Sequence, residues 1–210
     1  DVLPRKVFIG LHLAGKTKRA LGNHVSVHFI CAAAAITPEI VNFMIKEARG
    51  LMCVSLTDER CQALGLEMMV NQNTTSHETP FTVSVDLLGN GCTTGISAQD
   101  RAKTIQALVD PATQPEELGK PGHVFPLKSK QEGVIRRPGH TEASVELARM
   151  AGLTPASVIC EIIKDDGEMA RMPDLVAFAQ LHGLKIGTIA DLIAYRRRTE
   201  RFVERVMDTP

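Results

Sequence analysis

The amino-acid sequence predicts an α+β fold, a single domain of mixed sheet and helices. Three observations lead there. Stretches that alternate residue by residue like strands, such as FTVSVDL at 81–87, are interleaved with stretches of helical period that open on clear N-caps. The chain has 210 residues, 44% of them hydrophobic, which suits one domain with a sizeable core. The alternation of helices and strands carries no internal repeat and no dinucleotide fingerprint.

Taken in order, residues 1–21 mix basic and short apolar pieces without a clear period and read as an edge strand followed by a loop. Residues 24–31 (HVSVHFIC) are rich in β-formers and read as a strand. Thr37-Pro38-Glu39 then starts a helix. The hydroxyl caps, proline sits where an N–H has no helical partner, and a carboxylate faces the positive helix end. That helix is expected to reach about Arg49 and stop at Gly50. Residues 51–56 (LMCVSL) form a buried strand with Cys53 inside the core or at its mouth, and Thr57 or Asp58 caps a short helix through Leu64. Residues 81–87 carry the strongest strand pattern in the chain and lead to an Asn90-Gly91 turn. Ser97 caps the helix AQDRAKTIQALV, ended by Asp110-Pro111. Residues 141–152 form an amphipathic helix, 158–163 (VICEII) a strand, 174–183 a helix and 185–187 a short strand. Thr188 caps the last helix, over 189–206.

Composition excludes several function classes. Lysine plus arginine and aspartate plus glutamate each total 24, so no net charge marks a nucleic-acid or anionic-membrane binder. Arg196-Arg197-Arg198 lies beside Glu200 and Glu204, a solvated helix face with internal pairs. No apolar run reaches the length of a membrane span. The five cysteines are odd in number and lack CxxC spacing, which argues against a disulfide framework or structural zinc and for a reducing compartment, cytoplasm or organelle stroma.

Chemistry concentrates in residues 121–142, where PGHVFPL is followed by GVIRRPGHTE. Proline-glycine pairs predict tight turns, placing His123 and His140 at loop edges. A loop histidine is ordinarily a hydrogen-bonding turn residue. Here Arg136, Arg137, His140, Thr141 and Glu142 fall close together, a density that suits a phosphorylated, metal-binding substrate. The helix beginning at Thr141 points its positive end at His140, useful if an anion sits there. Glu161, set among apolar neighbours, needs a partner or has a raised pKa, and a functional or a salt-bridged structural role explains it equally.

TTGISAQDRA (93–102), PGHVFPL (121–127), RPGHTEASVELARMAGL (137–153), VICEI (158–162) and DDGEMAR (165–171) resemble the 3,4-dihydroxy-2-butanone 4-phosphate synthase family of riboflavin biosynthesis. The likeness covers about residues 36–200, so residues 36–210 are expected to be the synthase-like body and 1–35 a divergent strand and loop region of the same domain. It implies a homodimer with sites near the subunit interface. The implied reaction is the Mg2+- or Mn2+-dependent conversion of ribulose 5-phosphate to 3,4-dihydroxy-2-butanone 4-phosphate and formate. In some members a GTP cyclohydrolase II half follows. By the same resemblance His140 is the metal-ligand histidine and Arg137, Pro138, Gly139, His140 and Thr141 grip the substrate. Glu161, which also contacts the substrate, is the essential glutamate, His123 the essential histidine, Cys53 a third catalytic residue that lines the site, and Thr94 borders the sugar phosphate.

One departure stands out. The family's acidic loop, Arg-Glu-Asn-Glu-Gly-Asp, would occupy positions 23–28, which here read Asn23, His24, Val25, Ser26, Val27, His28. No aspartate or glutamate occurs between Val2 and Pro38. Magnesium prefers hard oxygen donors, which histidines do not replace. Three readings stay open: a catalytically silent relative with a structural, dimerisation or ligand-sensing role, a softer-metal site of His24, His28 and His140, or a shifted N-terminal register.

Overall fold

Strand and helix patterns resolve into three layers, a sheet with helices on both faces. The computed structural model describes residues 7–12 and 26–200. Strands β1 (Val7–His12), β2 (Ser26–Ala32), β3 (Cys53–Leu56), β4 (Val85–Leu87), β5 (Leu118–Lys128), β6 (Ser157–Glu161) and β7 (Lys185–Thr188) make one sheet in the order β4-β5-β3-β6-β2-β1-β7. It is mixed: β1 with β7 and β3 with β5 are parallel, the other pairs antiparallel. The helices are α1 (Pro38–Ala48), α2 (Asp58–Ala63), α3 (Ala98–Val109), α4 (His140–Met150), α5 (Met172–His182) and α6 (Ile189–Thr199).

Alternation along the strands sorts the core. Phe29, Val54, Val158 and Cys160 turn to one face and meet Ile40 and Met44 of α1, Ile105 and Leu108 of α3, and Leu175 of α5. Ile30, Cys53, Leu127 and Ile159 turn to the other, against Leu147 of α4. On that side Ile189 and Leu192 of α6 pack on Ala143 of α4. Each fully buried aliphatic side chain contributes roughly 1.5–3 kcal/mol, so a one-residue slip of register would exchange the two faces and forfeit both clusters.

The capped helices begin where their caps predict. Thr37, Thr57, Ser97 and Thr188 each accept a hydrogen bond from the backbone N–H three residues on. Three expectations change. β1 is interior, flanked by β2 and β7, so it is no edge strand; the loop expected after it lies outside the described residues, as does the end of the last helix beyond residue 200. The strand expected over 81–87 shrinks to Val85–Leu87, with Phe81 and Thr82 making only isolated bridges. Its partner β5 contains Pro121 and Pro126, which have no N–H to donate, so the ladder is interrupted. Finally, His123 lies inside β5, and His140 is the first residue of α4. Pro121-Gly122, which reads as a turn, is a strand irregularity. A Cβ on Gly122 would lie 2.0 Å from the Val85 carbonyl carbon, so only glycine lets β4 approach there.

Candidate active site

The C-terminal end of β6 carries Glu161, and the ladder places His28 of β2 opposite it. His28 Nε2 stands 3.6 Å from Glu161 Oε1, an ion-pair contact longer than a hydrogen bond. Glu161 Oε2 accepts from the Leu51 N–H at 3.0 Å. A Cβ on Gly50 would fall 2.4 Å from the Glu161 carbonyl oxygen and 2.8 Å from Oε2, so the glycine makes room for the carboxylate. Burial pushes the Glu161 carboxyl up, but His28 and the Leu51 amide outweigh it and hold it below the usual range. The His140 ring packs against His28 at a tilt of 35° with centroids 4.1 Å apart, and His140 Nε2 lies 3.1 Å from the Gly10 carbonyl. A carbonyl accepts only, so this contact makes Nε2 the protonated nitrogen.

Beside this group, the Arg137 guanidinium folds over Gly139. A Cβ there would meet Arg137 Nη1 at 2.4 Å and Glu142 Oε2 at 2.7 Å. Arg137 Nη1 donates to Glu142 Oε2 at 2.8 Å and Nη2 to the His77 carbonyl at 3.1 Å. Gly139, the N-cap of α4, has no side chain to satisfy the first turn, so the N–H groups around His140 and Thr141 are uncapped by a side chain. Thr141 is buried and Pro138 exposed.

Cys53 shares a face with Glu161, since both Cys53 and Ile159 belong to the cluster under α4 and Glu161 follows Ile159 by two. Burial, with the Glu161 charge second, pushes its thiol far above the ordinary value. It is therefore a neutral wall of the site.

His123 stands apart from these groups. Phe125 and Ile159 both pair with Cys53, from opposite sides of β3. His123 and Glu161 lie two residues further toward the same end of the sheet, so two strand spacings separate them, roughly 10 Å between backbones. His123 Nδ1 lies 2.6 Å from Asp86 Oδ2, and its N–H donates to Asp86 Oδ1 at 2.8 Å. Thr94 sits in the neighbouring loop. That loop is anchored by Asp100, which accepts from the Thr93 hydroxyl at 2.8 Å and the Gly95 amide at 3.1 Å, while a Cβ on Gly95 would strike Asp86. So His140, His28, Glu161 and Cys53 gather, with Arg137 adjoining His140 across Gly139, whereas His123 and Thr94 form a second group on the same rim. His24 lies outside the described residues.

The described residues do not fit a magnesium ion. Glu161 Oε2 accepts from the Leu51 amide, Glu161 Oε1 faces the His28 imidazole and not a second carboxylate, and His140 presents a protonated Nε2. Among the described residues no group of three or more His, Cys, Asp or Glu is arranged to hold a metal. Sequence reasoning passed over Asp86 and Asp100, and counted Glu142 only as part of a dense polar stretch. A carboxylate at a polar position of a strand, beside glycines that tolerate no Cβ, was the available signal for Asp86.

A family model of 3,4-dihydroxy-2-butanone 4-phosphate synthase matches residues 23–195. The chain belongs to that family. The riboflavin biosynthesis protein RibBA of Cytophaga hutchinsonii is 63% identical over 177 residues, 84% of this chain and 44% of the relative. The 3,4-dihydroxy-2-butanone 4-phosphate synthase of Neisseria meningitidis serogroup B is 56% identical over 86% of this chain and 50% of its own length. The chain thus spans about half the length of the curated relatives it matches. Among solved structures, RibBX, a two-domain synthase from A. baumannii, superposes with a TM-score of 0.86 at 48% identity, over 96% of this chain and 57% of that one. A synthase in complex with two magnesium ions superposes with a TM-score of 0.84 at 40% identity, over 92% of each chain. The α+β architecture is that of the synthase family.

Proposed function

We propose that the chain is the lyase domain that converts D-ribulose 5-phosphate to 3,4-dihydroxy-2-butanone 4-phosphate and formate in riboflavin biosynthesis, acting as a homodimer. The observation that carries this reading is the gathering of Arg137, Gly139, His140 and Glu161 at the N-terminus of α4, a setting built for a phosphosugar. The uncapped first turn of α4 offers N–H groups and the positive helix end to a phosphate, and the Arg137 fork adds charge-assisted hydrogen bonds. Asp86 holds Nδ1–H of His123, which leaves Nε2 free to take a proton from carbon beside the ketone. Glu161, kept ionised by its neighbours, is an acceptor for substrate hydroxyl protons. The exposed Leu88 and Ile96 near the Asp86–His123 group supply apolar surface for a second copy, which supports the homodimer. A cytoplasmic setting accords with five free cysteines.

A relative's structure holds two magnesium ions. A divalent cation, Mg2+ or Mn2+, would stabilise enediolate charge in this chemistry. Here His140 is the metal donor carried over, and no group of three or more His, Cys, Asp or Glu among the described residues is arranged to complete a site, so the steps above rest on side chains alone. The His28–Glu161 contact favours a second reading, a catalytically silent synthase-like domain with a structural, dimerisation or ligand-sensing role. The two readings separate in an assay of formate from ribulose 5-phosphate with magnesium, run on the chain as it stands and with the acidic loop grafted into positions 23–28. Formate from the unaltered chain supports the lyase, formate only with the graft supports the silent domain, and formate from neither contradicts the site. Calorimetric titration of ribulose 5-phosphate adds a second check: Arg137→Ala should weaken binding roughly ten- to a hundredfold, the worth of a charge-assisted hydrogen bond.

A further inference from the structure

Glu142 is fully buried at the first turn of α4, yet none of the proposed chemistry uses it. Both of its oxygens are engaged. Oε2 accepts from Arg137 Nη1 at 2.8 Å, and Oε1 accepts from the Lys130 amide at 3.2 Å. It therefore ties three pieces together: the helix, the 129–133 loop that follows β5, and the arginine before the helix. The contact runs over Gly139, where a Cβ would collide with both partners, so the backbone is shaped to let carboxylate and guanidinium meet. A buried carboxylate is costly unless paired, and here its partner is the Arg137 guanidinium, whose side chain is part-exposed.

We propose that Glu142 is a positioning residue that pre-orients the Arg137 fork for the phosphate of a phosphosugar, an inference that rests on the phosphate-binding reading of Arg137. A guanidinium carries five N–H donors in a rigid plane. Holding Nη1 on Glu142 and Nη2 on the His77 carbonyl fixes that plane while leaving further donors for an oxyanion. A fork already held in place loses less freedom when ligand arrives, so its hold shows in affinity. Glu142 itself touches no substrate.

The test is a double-mutant cycle read by calorimetric titration of the full chain with ribulose 5-phosphate, with thermal melts of every variant. Glu142→Gln keeps size and the Lys130 contact but loses the charge. It should weaken binding roughly tenfold with little change in the melt. Combined with Arg137→Ala it should add almost nothing to the loss from Arg137→Ala alone. Glu142→Asp, which keeps the charge on a shorter arm, should recover part of the affinity and decides the matter if the glutamine variant fails to fold. Unchanged affinity in a folded Glu142 variant, or losses that add in full, overturns the positioning role while leaving the Arg137 reading intact. No loss from Arg137→Ala overturns the phosphate reading itself, and this inference with it.

Discussion

At the scale of single residues, the site is defined by which donors are already spent. His28 lies against Glu161 Oε1 and packs tilted against His140, presenting an imidazole beside the carboxylate where a hard cation prefers oxygen donors. Replacing it with aspartate removes the ring and adds a carboxylate next to Glu161, so His28→Asp should tighten Mn2+ binding roughly tenfold or more. Titration followed by the paramagnetic resonance of Mn2+ checks this, and equal affinity of the two proteins would show that His28 does not govern the site. Asp100 carries a different consequence. The Thr93 hydroxyl, then the Thr93 and Gly95 amides, hold its carboxyl below the ordinary range against burial. A carboxyl lowered in the folded state stabilises the protein above its unfolded pKa, near ~3.9, and that contribution disappears as pH falls through the folded value. The melting difference between the parent and Asp100→Asn should therefore shrink as pH falls from about 5 toward 2. A constant difference would mean that the Asp100 charge plays no part in anchoring the Thr94 loop.

At the scale of elements, caps and periodicity were legible and irregular pairing was not. Thr37, Thr57, Ser97 and Thr188 announce their helices because a cap is a local interaction between a side chain and an amide three residues away. Strand pairing depends on a partner distant in sequence. Residues 81–87 alternate well, yet the prolines of β5 deny them a continuous ladder. Pro121-Gly122 reads as a turn for the same reason: two residues that break regular structure do not reveal that Val85 needs the space beside Gly122. Gly122→Ala should thus force β4 from β5, costing about 1–3 kcal/mol by overpacking, and should loosen the adjoining His123–Asp86 contact. Urea denaturation measures the first effect, and a fully retained midpoint would show that β4 yields without cost.

At the scale of the whole molecule, the order of the sheet decides what meets. β6 lies between β3 and β2, so Glu161, Cys53 and His28 share one end and one face, and α4 crosses that face with His140 at its first residue. Family motifs named Arg137, His140, Glu161 and His123 from sequence alone. That His123 would sit two strands from Glu161, paired with Asp86, depended on strand order, which no local pattern contains. Glu142 was legible only as one member of a dense polar stretch, because a glutamate in a first helical turn usually serves the helix dipole, and its burial shows a further task. The most direct measurement is a crystal structure of the chain with ribulose 5-phosphate bound. The phosphate should lie within hydrogen-bond distance of the Arg137 guanidinium and the first-turn amides of α4, with the sugar directed toward Glu161. A phosphosugar bound elsewhere, for instance in the cavity of about 310 Å³ between Asp58, Lys130 and Arg149, would contradict the site.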